Sequence, residues 1–514
     1  MKDDRAYHVR TDRSTLNSTS RRVFLRRTAA ASAALAWAPL GHAPWLRAAG
    51  SNSDVRLAVV GLGSTVKIGG KGKQDIRDFR KIPGVRVVAL CDVDDAILRQ
   101  QAGEFEKRSE QIAVYTDIRK LLESPAIDAI SITTPNHWHA LAAIWACQAG
   151  KDVFVQKPAS HNIFEGRQMV EAARKYGRIV LCTSGSREPN GFREAMDFVH
   201  QGKLGKLTMV RGLNYRPRTS IGKAAGPQPV PSAVHYDLWC GPAPVAPLRR
   251  QNLHYDWHWD WSTGNGDLGN MGIHHLDGCR MAVGGALPRH VISIGGRFGY
   301  TDDGQTPNTQ IIYFDYERAP ILFEVRGLPK DKSFLKDTWA GKESWGPKAM
   351  DDYLGVAVGK VVHCEHGYVI GNQAFDNSGK KIEQFDPAGP SLNLNFIQAV
   401  RNRRAGDLVA DILDGHLSAA LVHMANISHR VGRQSPQREI RERVEGNSSL
   451  AAAFDRFRAH LAANGIDLDR TPATLGAMLT VDAAGERFVG EFSEAANRLR
   501  TREYRPPFVV PEKV

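Results

Sequence analysis

The sequence predicts an α/β protein: a doubly wound parallel sheet in the first half and a second α/β region built on a largely antiparallel sheet. Three observations predict it. Short apolar strands alternate with helical stretches from Val55 to Cys182, the pattern of successive βαβ units. From Lys206 the alternation gives way to closely spaced β-rich runs, as in an antiparallel sheet. The 514 residues exceed what one hydrophobic core usually serves, so two domains with accessories are expected.

The first segment reads as an address. Ser20-Arg21-Arg22-Val23-Phe24-Leu25-Arg26 resembles the twin-arginine export motif, and an Ala/Leu-rich stretch, Ala29–Leu40, follows. Cleavage candidates lie at Gly41-His42-Ala43 and Ala48-Ala49. Residues 1–50 are therefore expected to be a signal peptide and linker, with the mature protein in the periplasm. Nine Lys/Arg against three Asp/Glu in this segment supply +6 of the chain's +13. No dense basic run and no nucleic-acid motif follows, which argues against a nucleic-acid partner. No stretch approaches the roughly 18 apolar residues of a membrane span, so no integral span is expected after signal removal. The six cysteines are scattered without a Cys-x-x-Cys pair, and core packing is their default role.

Folding is expected to begin at Val55–Val60, which runs into Gly61-Leu62-Gly63 and Ser64. Such a turn lets backbone approach a pyrophosphate at a helix N-terminus. The third glycine position is Val66, and the glycine-rich Lys67–Lys73 run implies a longer loop. The strand Val85–Cys91 ends at Asp92, placed to accept ribose hydroxyls and to repel a 2′-phosphate, which favours NAD over NADP. Asp92 is preferred to Asp94 because it directly follows the apolar run. The strand Ile127–Thr133 leads into Thr134, Pro135, Asn136 and His139, then the helix His139–Gln148. The strand Val153–Val155 leads into Gln156-Lys157-Pro158, the helix Ile163–Tyr176 and the strand Ile179–Cys182. Residues just past these strands occupy the sheet edge where open α/β folds bind ligands.

The second half reads as strands Leu207–Leu213, His290–Phe298, Thr309–Tyr316, Pro320–Arg326 and Val361–Ile370. Helices are expected at Leu392–Arg403, Asp414–Val431, Ser449–Gly465 and Glu486–Arg500, and Lys330–Lys348 reads as a flap or a surface insertion. Between Leu253 and Gly266 the interleaved His254-Tyr255-Asp256-Trp257-His258-Trp259-Asp260-Trp261 suggests a carbohydrate-stacking wall, with a core-packing loop as the alternative. His258, Trp259 and Trp261 are the candidate contacts. Asn270, His274 and Asp277 fall at i, i+4 and i+7, a spacing that puts them on one helix face. Arg187 and Tyr215 are further substrate candidates. The histidine spacing matches no standard zinc motif, so no metal is assigned.

In this order the GxG turn, Thr134-Pro135-Asn136 with His139, Gln156-Lys157-Pro158 and Gly269-Asn270-Met271-Gly272-Ile273-His274-His275-Leu276-Asp277 resemble the Gfo/Idh/MocA family (glucose–fructose oxidoreductase, inositol dehydrogenase, rhizopine catabolism). The resemblance covers roughly 55–432, and the terminal 499–511 stretch looks like the tail of an exported branch. It implies a Rossmann domain at 51–183, an α/β domain at 184–432 whose last helices return to the first, and an extension at 433–514. It also implies oligomer contacts through the open sheet face, in a dimer or tetramer. Lys157 is then the first catalytic candidate, since a lysine near a nicotinamide should have a lowered pKa, with His274 as general base and Asn270 beside them. Two departures stand out: the family's Glu before the lysine is Gln156, and an Asp four residues before the histidine is Asn270. The expected activity is NAD-dependent oxidation or reduction of a sugar, sugar alcohol or glycoside. The alternatives are glycoside cleavage through transient oxidation on a retained cofactor, and a non-catalytic sugar binder.

Overall fold

The computed structural model describes residues 54–65, 69–285, 287–335 and 349–514. The expected signal peptide, Val66 and most of the 330–348 insertion lie outside the described residues.

The first sheet is built from β1 (Val55–Val60), β2 (Val85–Cys91), β3 (Ala113–Tyr115), β4 (Ala129–Ile132), β5 (Asp152–Val155) and β6 (Val180–Cys182). All five pairings are parallel, in the order β3-β2-β1-β4-β5-β6. Strands β4 to β6 are buried along their whole length, as Val/Ile-rich runs must be when helices cover both faces. The crossovers carry α1 (Lys71–Arg80), α2 (Asp95–Glu106), α3 (Ile118–Leu122), α4 (His139–Gln148) and α5 (Ile163–Lys175). Asp94, Asp117 and Asn162 cap α2, α3 and α5, each side chain accepting a first-turn N–H. Strand order reverses between β1 and β4, and the carboxyl ends there open the crevice in which such sheets bind ligands.

After α6 (Phe192–His200) the chain builds a second sheet. Its strands are β7 (Leu207–Tyr215), β8 (His290–Gly296), β9 (Thr309–Asp315), β10 (Ile321–Arg326), β11 (Val358–Cys364), β12 (Gly367–Ile370), β13 (Gln373–Asp376) and β14 (Lys381–Gln384). The later β15 (Arg433–Ser435), β16 (Ala473–Leu475), β17 (Leu479–Asp482) and β18 (Arg487–Val489) extend it. The path β14-β13-β12-β11-β7-β10-β9-β8-β16-β15 is antiparallel except for the β7–β10 pair. The run expected as one strand at 361–370 is two: Cys364 pairs with Gly367 across a tight turn at Glu365-His366. The helix expected at 486–500 begins instead as β18. Phe488 is buried and pairs with Val481, and Gly490, at φ +80°, follows that strand before α13 (Ser493–Arg498).

Alternation along β8, β9 and β10 assigns the two faces. Val291, Ile312, Ile321 and Phe323 face a core shared with α8 (Ile273–Val283) and α10 (Ile412–Val431). Ile292, Ile294, Ile311 and Leu322 face the other way, against α11 (Gln437–Val444) and α12 (Ser448–Ala463). The face implied for oligomer contacts is therefore covered over these strands by the chain's own extension. The chain end is also embedded, with Phe508 and Val510 in the core of the first sheet. Helix α9 (Leu392–Asn402) packs into a separate core of that sheet, through Phe396 against Phe79 and Phe154.

Candidate active site

At the nucleotide end, β1 runs into Gly61 (φ +85°), where a Cβ would fall 2.7 Å from the Thr134 nitrogen. The close-packing glycine is not at position 66. It is Gly72, the second residue of α1, where a Cβ would lie 2.1 Å from the Gly61 carbonyl oxygen. The fingerprint is lengthened rather than degraded. Asp92 lines the crevice with Gly61, Gly63, Gly69, Gly70 and Lys71. Its Oδ2 accepts the Leu62 N–H (2.6 Å) and its Oδ1 the Asp94 N–H (3.0 Å), while burial pushes its carboxyl up to about 6. Asp94 is occupied elsewhere, capping α2 and pairing with His254 at 2.9 Å. Thr134, Pro135, His139 and Gln156 also form the wall. His139 is in addition a brace: its ring nitrogens meet the Pro158 and Thr134 carbonyls at 2.7 and 2.8 Å. Two expected cofactor contacts stand outside the wall. Ser64 is buried with its N–H on the Gly69 carbonyl, and Asn136 is buried and bridges to Asn265.

Lys157, at the carboxyl end of β5, stands at the other end of the crevice with Asn270 and His258. Its Nζ donates to the backbone carbonyl of Asn270. Burial pulls its pKa down to about 8, against the opposing pull of Asp267. Asn270 sits in a π-helical turn, Leu268–Gly272, that leads into α8. The wider turn breaks the 3.6-residue phase, so the three residues expected on one face separate. Asn270 reaches the crevice. Asp277 sits in a small cavity behind it, which Lys157 and Arg187 also line. There Asp277 takes two bonds from Arg187 (both 3.1 Å) and one from Ser418 (2.7 Å). Arg187 and neighbouring cations hold its carboxyl at about 2 against burial. This pair neutralises itself, so neither partner is available to a substrate as expected.

His274 is held by the turn after β6: the Gly185 N–H donates to Nδ1 at 2.9 Å. Burial, reinforced by the nearby Lys157 charge, drops its pKa well below the ordinary value. A neutral ring accepting at Nδ1 carries its proton on Nε2, so His274 is a donor there and not the general base expected. Gln156 is locked between the Thr183 hydroxyl (2.9 Å) and the Asp75 carboxylate (3.2 Å). Asp75 on α1 is fully buried and pairs with Lys71 at 3.1 Å. Sequence reasoning missed Lys71, Asp75 and Asp267. Only the acid in Gly266-Asp267 next to the helix, and the lysine ending a glycine run, hinted at them.

Of the three residues expected to form a carbohydrate-stacking wall, only His258 lines the crevice. Tyr255, Trp257 and His258 line the crevice, with Trp257 stacked on His258 at 3.6 Å. His258 Nδ1 donates to the Tyr255 carbonyl at 2.6 Å, and burial lowers its pKa to about 3, leaving Nε2 as an acceptor. Trp259 is buried beneath Arg218, and Trp261 faces another cavity. The short 3₁₀ turn Asp256–Trp259 carries Trp257 and His258 to the crevice, and Trp261 lies past it. Tyr215 is buried in the second sheet, donating to Glu324 at 2.6 Å and accepting from Arg456 at 2.9 Å, so it is no substrate contact. Among the described residues no group of three or more His, Cys, Asp or Glu could hold a metal, and no helix is long and apolar enough to cross a membrane.

A glycine loop, an acid closing β2 and a lysine ending β5 thus share one crevice at the switch point. Residues 55–184 match the oxidoreductase-family model for an NAD-binding Rossmann fold, and 198–293 match that family's C-terminal alpha/beta domain. Over these residues the chain carries the two domains of the Gfo/Idh/MocA family. It is 32% identical over 166 residues to a glycosyl hydrolase family 109 protein of Solibacter usitatus, covering 30% of this chain and 36% of that protein. It is 28% identical over 156 residues to an inositol 2-dehydrogenase of Salmonella paratyphi B, covering 30% and 46%. The chain thus spans less than half the length of these curated relatives. The WlbA dehydrogenase of Bordetella pertussis, solved with NADH and UDP-GlcNAcA, shares the fold, with TM-score 0.51 and 18% identity over 73% of this chain and 97% of that one. Residues 55–184 are thus an NAD-binding Rossmann fold of that family, and the crevice fits the cofactor. Asp92 is placed for a ribose, the start of α1 with Gly70 and Lys71 for the pyrophosphate, and Lys157 for the reacting end.

Proposed function

We propose that this protein moves a hydride between a carbohydrate C–OH and a tightly held NAD, in the periplasm after twin-arginine export. NAD, when bound, supplies the hydride acceptor or donor. The observation that carries the reading is the Lys157 amine at the end of the crevice just past β5, its pKa lowered. His274 on α8, fixed as an Nε2–H donor but outside the residues that line the crevice, is assigned the second contact to the reacting oxygen. In the oxidative direction the neutral Lys157 amine takes the hydroxyl proton, and His274 donates to the same oxygen. Asn270 lends its carbonyl to the amine, and its amide can hold a neighbouring hydroxyl but cannot take a proton. Tyr255 and Trp257 offer the apolar face on which a sugar ring packs. Contacts of the second domain across the mouth of the crevice support tight retention. The Asp95 N–H donates to the Ala233 carbonyl, the His235 N–H to the Val93 carbonyl, and Leu238 and Trp239 wall the crevice.

The test is the pH dependence of kcat/KM for sugar oxidation. A base with a pKa of about 8 makes the rate rise about tenfold per pH unit below that point and level off above it. Lys157→Ala loses the rate by about 10²–10⁴-fold. His274→Gln, whose amide can accept from Gly185 and still donate, retains at least about tenfold more activity than His274→Ala. A profile flat from pH 6 to 9 refutes the assignment of the base. A second reading is supported by the family 109 glycosyl hydrolase among the relatives: the retained NAD oxidises a glycoside transiently and takes its hydride back. Aglycone release without net change in reduced-nicotinamide absorbance would favour it.

A further inference from the structure

Beyond the Asn136–Asn265 bridge lies a second cavity of about 750 Å³, shaped by the 260–262 loop, α10 and the 498–503 stretch. None of the hydride-transfer groups lines it. Trp261 is half-buried in its wall, and the Arg430 guanidinium stands 5.3 Å from the indole centroid. Among the described residues Arg430 is in no ion pair within 4.0 Å, and burial together with the Arg502 charge lowers its pKa. Arg502 donates to the Ser262 carbonyl at 2.9 Å and to His161, and its Nε lies 3.5 Å from Glu165. Its Nη1 is buried with no hydrogen-bond acceptor. His423 Nδ1, on a side chain 3% exposed in the same wall, likewise has no partner. The wall's two carboxylates do not cancel this charge. Asp260 is engaged by Arg250 (3.1 Å) and Ser262 (2.7 Å), and Glu503 is exposed at the rim.

An aromatic face beside two like-charged guanidiniums is complementary to a ring that carries an anion. The amides of Asn426 and Gln305 in the same wall suit hydroxyl groups. We propose that this cavity is a second, non-catalytic binding site for a carboxylated sugar, its ring stacked on Trp261 and its carboxylate set between Arg430 and Arg502. Trp261 and the crevice residues Trp257 and His258 belong to one short segment, so a single loop serves both chambers. The site does not depend on the hydride-transfer reading.

Isothermal titration of the full-length protein, with its bound nucleotide, tests this, using sodium D-glucuronate, D-glucose and inorganic phosphate as probes. Glucuronate is expected to bind saturably, and glucose at least about tenfold more weakly, since the charge-assisted bonds are lost. Arg430→Ala and Trp261→Ala should each weaken glucuronate by about tenfold or more, with Trp261→Phe restoring part of the loss. Lys157→Ala should leave glucuronate binding within about twofold. Absence of saturable glucuronate binding overturns the proposal. Phosphate binding as tightly as glucuronate also overturns it, in favour of a simple anion hole. Binding lost in Lys157→Ala but kept in Trp261→Ala overturns it as well, because the ligand would then sit in the crevice. Failure of the hydride-transfer reading is seen separately, as absent turnover in a protein that still binds glucuronate.

Discussion

Asp92 is positioned in the crevice wall where a single side chain can bear on cofactor choice. Its carboxylate closes β2 while accepting two backbone N–H groups, so it is fixed before any ribose arrives. A 2′-phosphate would meet that fixed charge in a buried setting, where like charges repel strongly. Asp92→Ser is therefore expected to narrow the NAD-over-NADP preference by at least about tenfold, or about 1.4 kcal/mol, measured as the ratio of dissociation constants on nucleotide-free protein. An unchanged ratio would remove Asp92 from the specificity argument. Tautomers are decided at this scale too. His274 and His258 are both neutral through burial, yet backbone partners at Nδ1 leave one as a donor and the other as an acceptor at Nε2. No sequence pattern carries that distinction, because the partners are Gly185 and Tyr255 backbone groups supplied by the fold.

At the scale of elements, α1 approaches the Gly61 turn so closely that a Cβ on Gly72 would fall 2.1 Å from the Gly61 carbonyl oxygen. Gly72→Ala places a methyl against backbone, which cannot yield as a side chain would. A loss of about 1–3 kcal/mol or more is expected, read as a lowered unfolding midpoint together with reduced co-purified nucleotide. A midpoint and nucleotide content equal to the parent's would mean that α1 does not pack as described. Helix α12 makes a different prediction. Phe454 is fully buried against Phe457 and the outer face of β8–β10. Phe454→Ala should cost about 3–5 kcal/mol and expose the sheet face that relatives are expected to use for oligomer contacts, so the variant should gain mass in light scattering as it loses stability. Five of the six strands of the first sheet and the helices α4 and α5 were legible because apolar strand runs and helical periodicity are local signals, whereas β3 and the helices α1 to α3 were not assigned. The turn at Glu365-His366 and the strand Arg487–Val489 were not, since long-range pairing made them.

For the whole molecule, segments far apart in sequence converge on one nucleotide crevice: β1 and β2, the end of β5, α7 (Tyr236–Cys240) and the 254–258 loop. A ligand held by so many parts stabilises the fold by mass action, about 2.7 kcal/mol when free ligand is a hundredfold above its dissociation constant. Protein stripped of nucleotide should therefore melt lower, and added NAD should restore the midpoint while NADP restores less. Equal rescue by both, or none by either, would count against a retained NAD.

The sequence by itself determined the fold class, the NAD-binding half, the family and the lysine at the end of β5, because each rests on periodicity or on a motif contiguous in the chain. Only the tertiary structure decided which glycine lets α1 approach β1, which tryptophan faces the crevice, and that Arg187 and Asp277 neutralise each other. These depend on which distant groups a side chain meets. Such meetings are set by how the two sheets pack and by a single π turn that rotates Asn270 away from Asp277, and neither is written in local spacing.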